Sequence, residues 1–240
     1  MDRGVSLTIH YHGTPITPRR VLDTLAGRHF CVSYAAPADV AHVHKIGQSV
    51  MLDNGAFTAW TQKRAVDWAG FYNWAAPWLD YPTTWAVIPD VIDGDEAAND
   101  ALIAQWPHGT RGAPVWHMHE SVKRLIRLCH KWPRVCVGSS GAYRVVGSLQ
   151  WHLRLTEAMN ALCGDNGPTP AWLHMLRGMA LAGSHYPFAS LDSTDIARNH
   201  NRPQNDAAKM AALWDAQQCP ARWVSRPVQI ELAHTRSEAA

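Results

Sequence analysis

The sequence predicts an α/β fold of one domain, a compact (β/α)8 barrel, from three observations. Eight short apolar runs alternate with stretches of helical period, the pattern of a parallel sheet wrapped by helices. All eight runs fall between residues 5 and 191, the small end of the size range for a closed barrel. Polar residues gather directly after the runs, and the C-terminal ends of the strands are where a barrel carries its chemistry.

The expected strands are residues 5–10, 29–33, 49–52, 84–88, 114–118, 134–137, 172–176 and 188–191. Helical patterns separate them at 18–25, 65–78, 96–106, 121–132 and 148–162, and another follows at 207–217. Pro18 and Ser121 suit helix starts and Gly164 a helix stop. Residues 37–47 offer less than a full helix, and the seventh crossover is also short. A TIM-type barrel is therefore expected over 1–217, with a Pro- and Arg-punctuated C-terminal extension over 218–240. Periodicity does not show closure, so an open doubly wound sheet is the alternative.

Composition narrows the class. The 240 residues carry 22 Lys plus Arg against 20 Asp plus Glu, a net charge of +2 that excludes a polybasic or acidic disordered chain. An apolar content of 47% with twelve Trp is enough to bury a large core. No apolar stretch approaches the length of a membrane span and the N-terminus lacks a signal-peptide layout, so a cytoplasmic protein is expected. Five cysteines without a CxxC pair read as buried reduced thiols. Of the 22 cations 17 are Arg, the side chain suited to bidentate phosphate contacts.

Three carboxylates, Asp53, Asp90 and Asp192, each end a different apolar strand. A single such Asp is often only a helix N-cap. Three in one pocket can divide into nucleophile, general acid or base, and acceptor for a ligand's donor groups, and attack on a glycosidic carbon is the matching reaction class. Gly138-Ser139-Ser140-Gly141 after the sixth strand permits close backbone approach to a flat or anionic ligand. Phe57 and Tyr143, on loops at strand ends, are candidates for stacking on a planar base, whereas Trp60, Trp68, Trp74, Trp78 and Trp85 read as core packing. Arg198 and Arg202, four apart in the polar loop after the eighth strand, are candidates for phosphate contacts.

These strand ends resemble the tRNA-guanine transglycosylases, and especially their phage relatives, the 7-deazaguanine DNA transglycosylases. The resemblance spans roughly residues 49–202. Leu52-Asp53-Asn54-Gly55-Ala56-Phe57 is similar to the family's Asp-Ser-Gly-Gly/Ala-Phe motif, with Asn54 in place of the commoner Ser. Ala86-Val87-Ile88-Pro89-Asp90, Val137-Gly138-Ser139, Leu173-His174-Met175-Leu176-Arg177-Gly178 and Ser190-Leu191-Asp192-Ser193-Thr194 resemble later strands of the family in the same order. The resemblance implies that Asp192 is the nucleophile, with Asp195 its competitor, and that Asp53 is the general acid/base. It also implies base binding by Asp90, Gly138 and Ser139, to which Phe57 and His117 are added. The implied reaction replaces guanine in double-stranded DNA with a free 7-deazaguanine base, through a covalent aspartyl-glycosyl intermediate, with no cofactor and no metal. The family's zinc site of three Cys and one His has no matching spacing here, and the chain is short, both of which favour the DNA branch over a tRNA-directed enzyme. A phage-encoded enzyme would work in the host-cell cytoplasm.

Two other readings compete. In a metal-dependent hydrolase of the amidohydrolase type, His10 and His12 on the first strand, a His from the fifth and Asp192 would bind metal. Against it, Gly138-Ser139 stands where that family supplies His, and Asp90 where a bridging Lys is common. A silent barrel would only bind nucleic acid or a partner protein, and the near-neutral charge argues against strong nonspecific binding of DNA.

Overall fold

The structure is a computed structural model, described here for residues 7–228. Its nine strands are β1 (Ile9–Gly13), β2 (His29–Ser33), β3 (Ser49–Asp53), β4 (Thr84–Val87), β5 (Gly112–Ala113), β6 (Val115–His117), β7 (Arg134–Gly138), β8 (Trp172–Met175) and β9 (Ser190–Ser193). They form one sheet in the order β5-β4-β3-β2-β1-β9-β8-β7-β6, with every pair parallel. Of the two edge strands, β6 falls within the expected fifth strand, 114–118, whereas β5 precedes it and was not expected; Pro114 separates the two. Proline has no N–H to complete the ladder. Its carbonyl still accepts from the Cys136 amide at 2.9 Å, while the Ala113 carbonyl accepts from the Ile88 amide at 3.0 Å, so the sheet curls into a nearly closed barrel. The expected (β/α)8 architecture holds, and the ninth strand is this interruption.

The helices are α1 (Arg19–Asp23), α2 (Val40–Ile46), α3 (Ala56–Thr61), α4 (Trp68–Leu79), α5 (Glu96–Gln105), α6 (Val122–Lys131), α7 (Leu149–Cys163), α8 (Asp195–Asn199) and α9 (Ala207–Asp215). Side-chain caps fix several starts: Asp67, Asp95, Ser121, Ser148 and Asp206 each accept from the amide three residues on. Gly164 ends α7 with φ +63°, as its residue type suggests. Three short helices were not expected as helices. The 37–47 segment is a 3-10 turn, Pro37–Asp39, leading into the seven-residue α2, and α3 and α8 are too short for periodicity to register.

Two strand boundaries move. β1 was expected over 5–10 but runs from Ile9 to Gly13, and residues 5 and 6 lie outside the described part. His10 and His12 are buried there, and a hydropathy pattern underweights buried histidine. β9 starts at Ser190, two residues late, because Phe188 belongs to the preceding turn, where its amide donates to the Tyr186 carbonyl.

Strand alternation sorts the barrel into an outside and an inside. Val50, Leu52, Ala86 and Ile88 face outward onto α4, where Trp68, Trp74 and Trp78 pack as expected. Val135, Val137, Leu173 and Leu191 face outward onto a layer that includes Trp151 and Leu155 of α7. Tyr11, Cys31, Met51, Trp85 and Cys136 fill the interior. All five cysteines are free thiols, four of them buried. After α9 the chain forms no helix or strand through residue 228, yet Cys219 and Trp223 are buried, and Trp223 stacks on Tyr186 at 5.7 Å. No helix among the described residues is long and apolar enough to cross a membrane.

Candidate active site

Asp53, Asp90 and Asp192 line one pocket at the C-terminal mouth of the barrel, together with Gly138, Ser139, Phe57 and His117. Register explains the convergence. Asp192 is paired with Tyr11 across β9 and β1, and Asp53 with Ser33 across β3 and β2, so each carboxylate falls in the inward-facing set of its strand. None of the three is a helix N-cap, which removes the structural reading that each taken singly would have carried.

Each carboxylate is held differently. Asp53 accepts through Oδ2 from the Ser33 hydroxyl at 2.7 Å and the Gly55 amide at 3.1 Å. Gly55 takes φ +78°, a left-handed conformation that glycine adopts without steric cost, where the chain turns from β3 into α3. Burial, reinforced by the negative charges of Asp192 and Asp90, pushes the Asp53 carboxyl up to about 6, against the smaller opposing effect of its two donors. Asp90 is gripped at both oxygens, by Asn54 Nδ2 at 2.7 Å and His117 Nε2 at 2.9 Å. Because a carboxylate only accepts, His117 donates from Nε2, which leaves its buried Nδ1 without a partner. A Cβ on residue 138 would lie 3.0 Å from that Nδ1, so glycine is what admits the ring.

Asp192 accepts through Oδ1 from the Arg177 amide at 2.7 Å, and the same oxygen lies 3.2 Å from His174 Nε2. His174 is fully buried, and burial lowers its pKa, so the ring is neutral. A directed chain follows: Trp172 Nε1 donates to Ser190 Oγ at 3.2 Å, Ser190 to His174 Nδ1 at 2.8 Å, and His174 Nε2 to Asp192. Asp195 points elsewhere. Its two oxygens accept from Asn199 Nδ2 and Trp214 Nε1, outside the pocket.

The floor and roof are equally specific. The Ser139 hydroxyl is turned away to accept from Trp151 Nε1 at 2.9 Å, which leaves backbone to face the pocket at 138–139. Asn99 and the buried Glu120–Arg124 pair brace the loop after Asp90 and the end of β6 that carries His117, with Glu120 accepting from the His117 amide at 2.9 Å. The Arg177 guanidinium lies 3.8 Å over the Phe57 ring. Both residues also line an outer vestibule of about 420 Å³, whereas the inner pocket measures only about 50 Å³. That inner volume holds about two waters and no purine.

The remaining expectations divide. Arg198 and Arg202 are exposed after β9 and form no ion pair among the described residues, but they do not line the pocket. Tyr143 packs against the core beside Arg154 instead of facing the pocket, and Trp60, expected in the core, is 44% exposed and donates to Asp93 at the vestibule. His10 and His12 point outward from β1 to Asp215, at 3.6 and 3.7 Å, so they do not join Asp192 as a hydrolase metal set would require. No three His, Cys, Asp or Glu side chains among the described residues form a group suited to a metal ion.

His174, Arg177 and Asn54 were not singled out as site residues. For His174 the signal was available: it stands two positions before Leu176 on an inward face, a buried polar side chain inside a barrel strand. A scan against models of known protein families, a search of curated proteins and a search of solved structures each found no match.

Proposed function

We propose that the protein is a base-exchange transglycosylase that replaces guanine in DNA with a 7-deazaguanine derivative. The observation that carries this reading is the convergence of Asp53, Asp90 and Asp192 from three separate strands on one pocket beside the 138–139 backbone. In the first half-reaction the Asp192 carboxylate attacks the sugar C1′, and the C1′–N9 electron pair leaves with guanine. Asp53, raised to about 6, gives its proton to the departing base. In the second half-reaction Asp53 takes a proton from the incoming 7-deazaguanine, whose nitrogen attacks C1′ and expels Asp192. Two displacements return the sugar to its starting configuration.

Asp90 accepts from the donor edge of the base, its orientation fixed by Asn54 and His117, and the Gly138–Ser139 backbone meets the same base. Phe57 supplies a stacking face once Arg177 lifts from it. The target nucleotide must leave the duplex to reach the pocket, and Arg198 and Arg202 contact phosphates beside it. Exclusion of water by the closed pocket protects the glycosyl intermediate, with an abasic site as the side product when exclusion fails.

The test is incorporation of a labelled 7-deazaguanine base into duplex DNA and tRNA in parallel, with Asp192→Asn as control. Label entering DNA with the wild-type protein alone supports the proposal. Label in tRNA alone overturns the polymer, and label in neither overturns the chemistry.

A further inference from the structure

The opposite mouth of the barrel holds a cavity of about 750 Å³, larger than the vestibule and pocket at the C-terminal end. It is built on the first residues of the strands, His29, Ser49, Thr84, Arg134 and Trp172 among them. In a barrel this end ordinarily serves stability, so an open volume here calls for a chemical account.

Arg134 gives one. Its guanidinium lies 4.5 Å from the Trp85 ring centre and 5.2 Å from that of Trp172. Stacked against two indoles, the group has its edge left for hydrogen bonding. Its Nε is buried with no partner, and no carboxylate among the described residues pairs with it. The cavity lining contains a second cation, Arg111, and no Asp or Glu. A partly buried cation without a counter-charge is costly, and an oxyanion entering this cavity would supply one in the fork geometry that guanidinium favours.

We infer that this mouth is a second binding site, specific for a small organic oxyanion, with its carboxylate or phosphate on Arg134 and a ring-sized body filling the aromatic-lined remainder. The volume falls in the range of small-molecule sites. Trp172 is also the first donor of the hydrogen-bond chain ending at Asp192, so its indole N–H reports on the cavity from a defined position.

Benzoate, guanosine 5′-monophosphate and inorganic phosphate, titrated into the full chain, test this and separate the two headgroup sources. The readout is the indole N–H resonances of Trp85 and Trp172, assigned by Trp→Phe replacement. Saturable shifts with a Kd below about 1 mM are expected for benzoate or the nucleotide, weaker at high salt. Arg134→Gln and the milder Arg134→Lys should each weaken binding at least about tenfold, the second serving if the first fails to fold. Absence of any shift with all three probes, or unchanged affinity in a folded Arg134 variant, would overturn the site. Binding of phosphate but of neither ringed probe would overturn the organic body assigned to the ligand.

Discussion

His174 Nε2 lies 3.2 Å from Asp192 Oδ1, and its Nδ1 lies 2.8 Å from Ser190 Oγ, so the imidazole is fixed at both ends inside the barrel. His174 thereby sets the orientation of the carboxylate proposed to attack. Replacing it with Gln should lower kcat about 100-fold with KM nearly unchanged, because a misplaced nucleophile costs the chemical step and leaves base recognition intact. Steady-state kinetics on DNA, with circular dichroism to establish folding, measure the split. An equal rise in KM would show that His174 serves binding instead.

Asp192→Asn should abolish exchange by at least about 1,000-fold and prevent trapping of a covalent protein–DNA adduct. Asp195→Asn should retain most activity, since Asp195 serves Asn199 and Trp214 away from the pocket. Denaturing gel electrophoresis of protein incubated with DNA distinguishes the two. An adduct that survives in Asp192→Asn and disappears in Asp195→Asn would reverse the assignment.

The elevated Asp53 carboxyl gives a pH signature. The proposed first half-reaction would need Asp53 protonated, so the rate of guanine release should fall as pH rises through about 6. Asp53→Asn should slow release roughly 100-fold or more and erase that limb of the profile. Single-turnover release of labelled guanine between pH 5 and pH 8 tests both effects. A limb that persists in the variant belongs to another group.

Arg177 combines a left-handed backbone, φ +54°, with a side chain lying over Phe57. Arg177→Gly keeps the backbone amide that donates to Asp192 and relieves roughly 1 kcal/mol of conformational cost, while losing a cation–π contact of similar size. Stability should therefore change by less than about 1 kcal/mol while the pocket opens to water. The expected result is a higher ratio of abasic sites to exchanged base, read by strand cleavage at abasic sites. An unchanged ratio would mean that Arg177 does not govern water access.

Buried histidines make the fold acid-sensitive. Burial, with nearby positive charge from one another and from Arg28, lowers His10, His12 and His29 to about 4. Asp215 does not reverse this for His10 and His12, because it sits beyond hydrogen-bond distance of both and is already paired with Arg28. A folded pKa below the unfolded 6.5 means that stability is full above about 6.5 and declines as pH falls toward about 4. Asp53 acts in the opposite sense between about 4 and about 6, but it is one group against three. Urea titrations at pH 7.5 and pH 5 should show a loss on the order of a few kcal/mol, reduced in a His10→Gln, His12→Gln double variant. Equal stability at the two pH values would remove the histidines as the cause.

Much of the architecture was legible because it follows local rules. Apolar runs of strand length and stretches of helical period, with Ser121 as a start and Gly164 as a stop, located most elements to within a residue or two. The motif order along the chain selected Asp53, Asp90, Asp192, Phe57, Gly138 and Ser139, and the strand-end position added His117; the fold gathers all seven at one pocket. Short elements such as α3 and α8 escaped because five or six residues carry too little periodicity. The two-residue β5, just before Pro114, escaped for the same reason.

What the sequence by itself determined is the alternation of elements and the chemical types at strand ends, since both are encoded in neighbouring residues. Only the tertiary structure decided which partners those groups meet. His10 and His12 look as suited to chemistry as His117 does, yet strand parity sends them outward to Asp215 and turns His117 inward to Asp90. The proximity of Asp192 to His174, the stacking of Arg177 on Phe57, and the placing of Arg134 between two indoles with no ion-pair partner among the described residues join residues on different strands and loops. Their relations depend on register and barrel closure, which no local stretch of sequence contains.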